Sequence, residues 1–314
     1  MLPAACLYTA LMQASSLSSD TLYARLADSA ENLPSPPWPL LSETQASFVF
    51  DLADGSVLKA VRKNGGLSSG DARLRREAAM LRALDGLGAS SVRAPRLLAM
   101  GECSGSLFLD VPLAGWLRLE KLAGRAYSFD SFSMLASERR ERMGEKLGAA
   151  IADLHQAAEP KLEAIAKLGD PIARQLTLAA RSLSSPQDYP KLKRLEALWA
   201  EGDNPKTVLH GNLTLENVLW GEGDALAMTG WSEAGAGLAV SDLAPFELYG
   251  PLRDAVFRGY TARAGARPDM LRYRQAAASR AFMILALEGD QGHPREGMRR
   301  RRMLEEYLFQ AGIE

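Results

Sequence analysis

The segment Val208–Gly235 constrains this chain more than any other part of its sequence. It reads VLHGNLTLENVLWGEGDALAMTGWSEAG, in which polar residues lie between short apolar runs. The runs NVLW and ALAMTGW predict two short strands. His210, Asn212 and Asn217 stand before the first run or at its start. The segment therefore interrupts the helical patterns around it with two short strands.

The remainder of the sequence divides into a strand-rich part and a helix-rich part. Residues 1–32 predict an N-terminal helical extension, which the proline-rich run NLPSPPWPLL ends. Residues 33–122 predict a small lobe with an antiparallel sheet, because two β-rich runs flank Asp54-Gly55, a strong hairpin signal, and a helical pattern follows. Residues 123–314 predict a larger, mainly helical lobe. The predicted fold class is α+β.

Composition narrows the classes of function. The chain has 314 residues and a formal net charge of -1, which gives no overall attraction to nucleic acid or to anionic membranes. Its two cysteines, Cys6 and Cys103, exclude a disulfide framework and a cysteine-based zinc site, and they fit a reducing compartment. No apolar run approaches the roughly 20 residues of a membrane span. We expect a cytoplasmic protein with no membrane or nucleic-acid partner, and we expect the basic run Arg299–Arg302 to be at least partly a solvated helix stripe.

The spacing around His210 matches the catalytic loop of kinases. That loop has the pattern H-R-D-L-x-x-x-N, in which the Asp meets the acceptor hydroxyl and the Asn holds metal. Here His210-Gly211-Asn212-Leu213 is followed by Asn217 at the same spacing. One position departs from the pattern, because Asn212 stands where the Asp is required.

These motifs resemble the family of aminoglycoside phosphotransferases, choline kinases and fructosamine kinases. Its members carry HGDLHxxNVL followed by IDWxxAGxGxxxxDLA, and this chain has HGNLTLENVLW followed by MTGWSEAGAGLAVSDLA. The runs LGAAIADLHQ and GYTARAGARPDMLRYRQAAA resemble the flanking helices, so the likeness extends from about Pro39 to about Gly289. It implies a bilobal, protein-kinase-like fold with a small antiparallel-sheet N-lobe and a larger helical C-lobe.

In the C-lobe the resemblance implies a role for each matching position. Asn212 occupies the catalytic position, and His210 is the loop histidine, which packs and hydrogen-bonds rather than reacting. Asn217 is the metal-binding residue, and Asp242 is the structural Asp that steadies the loop. We expect His155 to be a packed core histidine.

In the N-lobe the resemblance implies a nucleotide site. Arg62 would replace the lysine that grips the phosphates, with Lys59 as the competing candidate, and Glu77 would be its partner on the helix. Lys121 and Leu122 would form the hinge whose backbone meets an adenine. For Arg62 and Glu77, a plain surface position is an equally good reading of the sequence.

Three departures from the family pattern weaken the site. Asn212 stands in place of the catalytic Asp, and Gly230 stands in place of the metal-binding Asp. The nucleotide-covering turn LLSETQAS has no glycine. Glu216 or Glu233 could supply a compensating carboxylate, although both positions are more typical of solvated loop residues. Losing a general base costs about 10²–10⁴ in rate, and losing the carboxylate of the metal site costs the neutralisation of developing charge.

These departures predict a pseudokinase, a kinase-fold binding or regulatory module with weak or no phosphoryl transfer. The alternative is an active ATP-dependent phosphotransferase acting on a hydroxyl of a small molecule such as an aminoglycoside, a sugar amine or a choline-like alcohol. Any ATP binding is expected to be weak and nearly indifferent to magnesium, because Asn217 offers only a neutral amide. The expected partner is a small-molecule ligand or a protein.

Overall fold

The structure is a computed structural model that describes residues 38–64, 68–85, 92–103, 107–108, 111–183, 185–201, 205–288 and 294–313. The helical extension predicted for residues 1–32 lies outside the described residues. The chain forms two compact units. The first comprises residues up to Leu74 together with Leu97–Lys121, and the second comprises Arg75–Arg96 together with Leu122–Glu314.

The first unit is built on one antiparallel sheet. Its strands are β1 (Leu40–Glu43), β2 (Ser47–Asp51), β3 (Ser56–Arg62), β4 (Leu97–Glu102), β5 (Leu107–Phe108) and β6 (Val111–Glu120). They run in the order β1-β2-β3-β6-β4, with β5 paired to β6, and every pairing is antiparallel. The antiparallel sheet predicted for this part of the chain is confirmed.

The hairpin predicted at Asp54-Gly55 joins β2 to β3. Gly55 adopts the left-handed φ of 80° that such a turn requires, and the Asp54 carboxylate accepts a hydrogen bond from the Ser56 backbone N–H at 3.0 Å. Strand β2 turns Phe48 and Phe50 inward, as its alternating pattern dictates. The core of this unit also contains Trp38, Leu52, Leu58, Ala60, Cys103, Leu113 and Trp116.

Helices make up most of the second unit. Helix α1 (Gly70–Leu84) starts at the end of the first unit and buries Leu74, Ala78 and Leu81, as its periodicity predicts. The others are α2 (Phe129–Ser133), α3 (Ser137–Ala157), α4 (Leu162–Ala166), α5 (Pro171–Ser182), α6 (Asp188–Ala200), α7 (Val240–Leu243), α8 (Pro251–Ala264), α9 (Met270–Glu288) and α10 (Pro294–Gln310). None of the described helices is long and apolar enough to cross a bilayer.

Two helices of this unit approach each other unusually closely. A Cβ atom built on Gly148 of α3 would lie 2.0 Å from the carbonyl oxygen of Val256 in α8, and one on Gly259 of α8 would lie 1.9 Å from the carbonyl oxygen of Glu145 in α3. Only glycine permits backbones to meet at such distances. Leu147 and Ile151, four residues apart on α3, are buried and complete its packed face.

Four short strands frame the segment that opened the sequence analysis. They are β7 (Thr207–Leu209), β8 (Val218–Trp220), β9 (Leu226–Met228) and β10 (Gly235–Gly237). Strand β7 pairs antiparallel with β10, and β8 pairs antiparallel with β9. The two strands predicted from NVLW and ALAMTGW are confirmed, and they hold residues 210–217 and 229–234 as connecting loops.

The basic run of α10 is only partly solvated. Arg302 is exposed, whereas Arg301 forms an ion pair with Asp188 at 2.8 Å. The side chains of Arg299 and Arg300 lie outside the described ones.

Candidate functional site in the second unit

The loop after β7 is fixed by a buried carboxylate. Asp242, fully buried at the start of the α7 region, accepts hydrogen bonds from the backbone N–H groups of His210 and Gly211, both at 2.8 Å. The ring of His155 lies 3.3 Å from the same carboxylate and 3.2 Å from the hydroxyl of Tyr260. Although burial raises the pKa of Asp242, the hydrogen bonds and positive charge of His155 and the loop N–H groups leave it below its usual range. His155 is a packed core histidine, as expected.

His210 is buried within this frame. Its Nε2 lies 2.7 Å from the carbonyl oxygen of Thr229, and its ring packs against Trp231 with centroids 4.4 Å apart. The side chain joins the two connecting loops and faces no solvent. Its contacts suit a structural position.

Asn217 and Gly230, the two positions at which the resemblance implies metal ligands, lie against each other. Asn217 donates from Nδ2 to the backbone carbonyl of Asn212 at 2.8 Å. Gly230 adopts a left-handed φ of 76°, and a Cβ atom built on it would lie 2.6 Å from Oδ1 of Asn217. Position 230 therefore has neither a carboxylate nor room for a side chain unless Asn217 shifts.

Asn212 is held by an arginine that the sequence analysis did not single out. Nη1 and Nη2 of Arg280, on α9, both lie 3.2 Å from Oδ1 of Asn212. The available signal was a lone arginine in the apolar run AAASRAFM, where neighbours such as Ala278 and Phe282 are buried. A charged residue inside such a run is expensive to bury and is therefore a candidate for function.

Glu233 is not a solvated loop residue, and that expectation was wrong. Its carboxylate is buried and forms an ion pair with Nη1 of Arg76 at 3.0 Å. Arg174 donates to the Glu233 backbone carbonyl at 2.6 Å, and burial, followed by the charge of Arg76, lowers the pKa of Arg174 to about 10. Glu216, in contrast, is exposed. The Glu233 carboxylate is thus committed to a structural pair.

The donor set of this unit does not suit a hard divalent cation. Among the described residues, no group of three or more His, Cys, Asp or Glu side chains is arranged to hold a metal ion. Magnesium prefers charged oxygens, and the loop presents amides at positions 212 and 217 and a glycine at position 230. The residues therefore do not fit the magnesium that an active kinase would carry.

The predicted nucleotide residues of the first unit are engaged with their own sheet. Arg62, at the end of β3, forms an ion pair with Glu43 of β1, and its guanidinium stacks on the ring of Phe48 at 4.0 Å. Lys59 lies earlier in β3, opposite Val49 and Leu117. Arg62 is half-buried, and both its surface reading and its phosphate-gripping role stay predictions.

The turn between β1 and β2 satisfies its own backbone. The Thr44 hydroxyl accepts hydrogen bonds from the backbone N–H groups of Ala46 at 3.1 Å and Ser47 at 3.0 Å. In a glycine-rich loop, such N–H groups are left to cradle phosphate. Here they already have an acceptor.

The hinge residues and the helix glutamate have distinct environments. The Lys121 backbone N–H donates to the carbonyl of Gly55 at 3.0 Å, and its side chain pairs with Asp51 at 2.6 Å. Leu122 is buried at the start of the second unit's main segment. Glu77 of α1 is also buried, so its surface reading is wrong. A nucleotide contact at this hinge would have to use backbone groups other than the Lys121 N–H.

Comparisons with known proteins agree with this architecture. The sequence matches the family described as "APH: Phosphotransferase enzyme family" over residues 49–276. No curated protein matches the chain significantly.

Solved structures share the fold at low sequence identity. The GDP and kanamycin complex of APH(2")-IIIa is 15% identical with a TM-score of 0.64, covering 90% of this chain and 97% of that one. A choline/ethanolamine kinase family protein from Mesorhizobium loti is 16% identical with a TM-score of 0.58, covering 93% and 98%. Macrolide 2'-phosphotransferase MphH from Brachybacterium faecium is 17% identical with a TM-score of 0.56, covering 91% and 97%. At such identities the likeness shows the kinase-like fold.

Proposed function

Because the chain belongs to the phosphotransferase enzyme family, we propose that it is a kinase-fold binding module in which phosphoryl transfer is weak or absent. The observation that carries the proposal is Gly230, which leaves the metal position without a carboxylate and in contact with Asn217. Phosphoryl transfer depends on metal ions that neutralise the developing charge. A site without that carboxylate can still bind a small molecule, but it transfers phosphate poorly.

The second support is the state of the catalytic position. Asn212 can accept or donate a hydrogen bond but cannot take a proton from an acceptor hydroxyl, which costs about 10²–10⁴ in rate. Its amide oxygen is already held by Arg280. Glu233, one of two candidate replacements for the missing metal ligand, is paired with Arg76.

The third support concerns the nucleotide. Two backbone N–H groups of the covering turn donate to the Thr44 hydroxyl, and Arg62 forms an ion pair with Glu43. We infer that ATP binds weakly and that magnesium changes its affinity little. The ligand is a small molecule or a protein partner in the cytoplasm, with no role for nucleic acid or membrane.

An active small-molecule kinase is the second candidate. The hydrogen bonds that Asp242, His210 and Asn217 make in the loop are all present. A well-ordered loop of this kind favours an active site. Solved relatives of this fold include a streptomycin and ATP complex of APH(2")-IIa. Activity here would require Glu216, which is exposed, to supply the missing carboxylate.

Calorimetry and a transfer assay separate the two candidates. ATP affinity is measured in EDTA and in excess Mg²⁺, and labelled phosphate transfer from ATP is measured with aminoglycoside, sugar-amine and choline-like acceptors. We expect no more than about a twofold gain in affinity from Mg²⁺, and transfer no faster than in a Glu216→Gln variant. A tenfold or larger gain with Mg²⁺, together with transfer that Glu216→Gln abolishes, would establish the active kinase instead.

A further inference from the structure

Arg280 is a half-buried cation whose described contacts are neutral. A guanidinium has five N–H donors and no acceptor. Two of its nitrogens donate to the amide oxygen of Asn212, and its Nε–H is buried without a hydrogen-bond partner among the described residues. Within the same residues, no carboxylate lies within ion-pair distance of the guanidinium. Burying a charge in this way is costly unless a counter-ion compensates it.

The titratable groups near Arg280 do not compensate its charge by direct contact. Glu216, Tyr249 and Asp242 are the titratable groups close enough to act on its charge. Asp242 is already committed to the backbone of His210 and Gly211, and Tyr249 is neutral at physiological pH because its pKa is raised, chiefly by burial. Glu216 is exposed, and among the described residues neither it nor Asp242 lies within ion-pair distance of the guanidinium.

Arg280 also fixes which way the Asn212 amide points. Because a guanidinium only donates, the oxygen of the amide must face Arg280, and the NH₂ group must face the opposite way. Among the described residues that NH₂ group has no hydrogen-bond acceptor, and it is not buried. An aspartate at this position would present an oxygen there and repel an anion.

We propose that Asn212 and Arg280 together bind an anionic group, a carboxylate or a phosphate, carried by the ligand. The inference rests on the proposed function, since a site kept for binding needs no base at position 212. The Asn212 NH₂ group supplies a donor, and Arg280 supplies the positive charge and the Nη hydrogens that Asn212 does not use.

The same unit has a cavity that neither Asn212 nor Arg280 lines. Tyr249 lines this cavity of about 510 Å³ and packs against Phe129 with ring centroids 5.4 Å apart. Volumes of this order hold small molecules. Arg140 and Arg258 also line the cavity, with Glu141 and Asp254 beside them.

The test measures anion affinity by calorimetry at fixed ionic strength without Mg²⁺, using inorganic phosphate and malonate as probes. The wild-type chain should bind at least one of them, and Arg280→Gln should weaken that binding by about tenfold or more, because a charge-assisted contact is lost. Asn212→Asp should weaken it to a similar extent, since the new carboxylate neutralises Arg280 in place. Arg263→Gln is the control, because Arg263 is exposed and paired with Asp153 elsewhere in the unit.

The outcomes separate the two sources of an anion. If saturating ADP competes with the probe, the anion belongs to the nucleotide; if probe and ADP bind together, it belongs to a second ligand. Equal affinity in wild type and Arg280→Gln, unchanged or tighter binding in Asn212→Asp, or no binding of either probe at about 10 mM would overturn the proposal. Phosphate transfer from ATP would contradict the proposed function while leaving this affinity comparison unaffected.

Discussion

Replacing Glu233 by Gln is expected to destabilise the second unit far more than breaking an equally short ion pair at its surface. The Arg76–Glu233 pair is 3.0 Å long, with side chains 9% and 8% exposed. The Arg258–Glu145 pair is also 3.0 Å long, but its side chains are 50% and 47% exposed. The two pairs therefore differ in burial and not in separation.

The magnitude follows from that difference in burial. Coulomb's law gives about 5 kcal/mol for unit charges 3 Å apart at an effective dielectric constant of about 20, and about 1.4 kcal/mol in water. Breaking a buried pair costs about 3–5 kcal/mol because one charge stays behind unpaired, whereas an exposed pair is worth about 0–1 kcal/mol. In Glu233→Gln, Arg76 loses this carboxylate but keeps its hydrogen bond to the Ser232 carbonyl at 2.7 Å, and Arg174 lies near enough to repel its charge.

The assay is urea unfolding followed by tryptophan fluorescence, to which the buried Trp231 contributes. Glu233→Gln should lower the free energy of unfolding by about 3–5 kcal/mol, and Glu145→Gln by less than about 1 kcal/mol. The double variant Arg76→Met with Glu233→Leu should recover much of the loss, because it removes both buried charges. Equal losses in the two single variants would refute the claim that burial sets the value of this pair.

Further outcomes are expected elsewhere in the second unit. Gly230→Ala should lower the stability measured by thermal unfolding more than Gly265→Ala does. Both glycines have φ near 75°, a conformation that costs a residue with a Cβ about 1–2 kcal/mol. The alanine at position 230 would in addition displace Asn217, at a cost of about another 1 kcal/mol. Gly148→Ala should cost about 3 kcal/mol or more in the same measurement, because its Cβ meets a backbone carbonyl rather than a side chain; no loss would show that α3 and α8 can separate freely. Asp242→Asn should cost about 1–3 kcal/mol near pH 7 by leaving a buried loop N–H unsatisfied. Because the pKa of Asp242 is lowered from 3.8, its ionisation stabilises the fold above about pH 4, and this contribution fades as pH falls below that value; the gap between wild type and Asp242→Asn should therefore narrow in acid.

Features set by neighbouring residues could be predicted from the sequence. The hairpin at Asp54-Gly55 depends on a few consecutive residues, and the buried face of α1 depends on a period that repeats within the helix. The spacing from His210 to Asn217 likewise predicts a kinase-like loop without further information, because the loop is one continuous stretch of sequence. These parts of the fold and site follow from local pattern.

Contacts between distant parts of the chain could not be predicted in the same way. Arg280 is 68 positions from Asn212, and Arg76 is 157 positions from Glu233. Nothing in the residues around Glu233 distinguishes a solvated glutamate from one that a helix arginine covers. Pairing of this kind depends on how helices pack, which a single sequence does not display.

The contact between Arg280 and Asn212 also bears on what a single mutation at the catalytic or metal position would achieve. If Asn212 changed to Asp first, the new carboxylate would face the guanidinium of Arg280, which would hold its pKa low and make it a poor base. If Gly230 changed first, the new side chain would meet Asn217 and gain no metal-binding partner from position 212. On the proposed function, neither change alone would improve transfer, and both positions would have to change together to restore a base and a metal ligand.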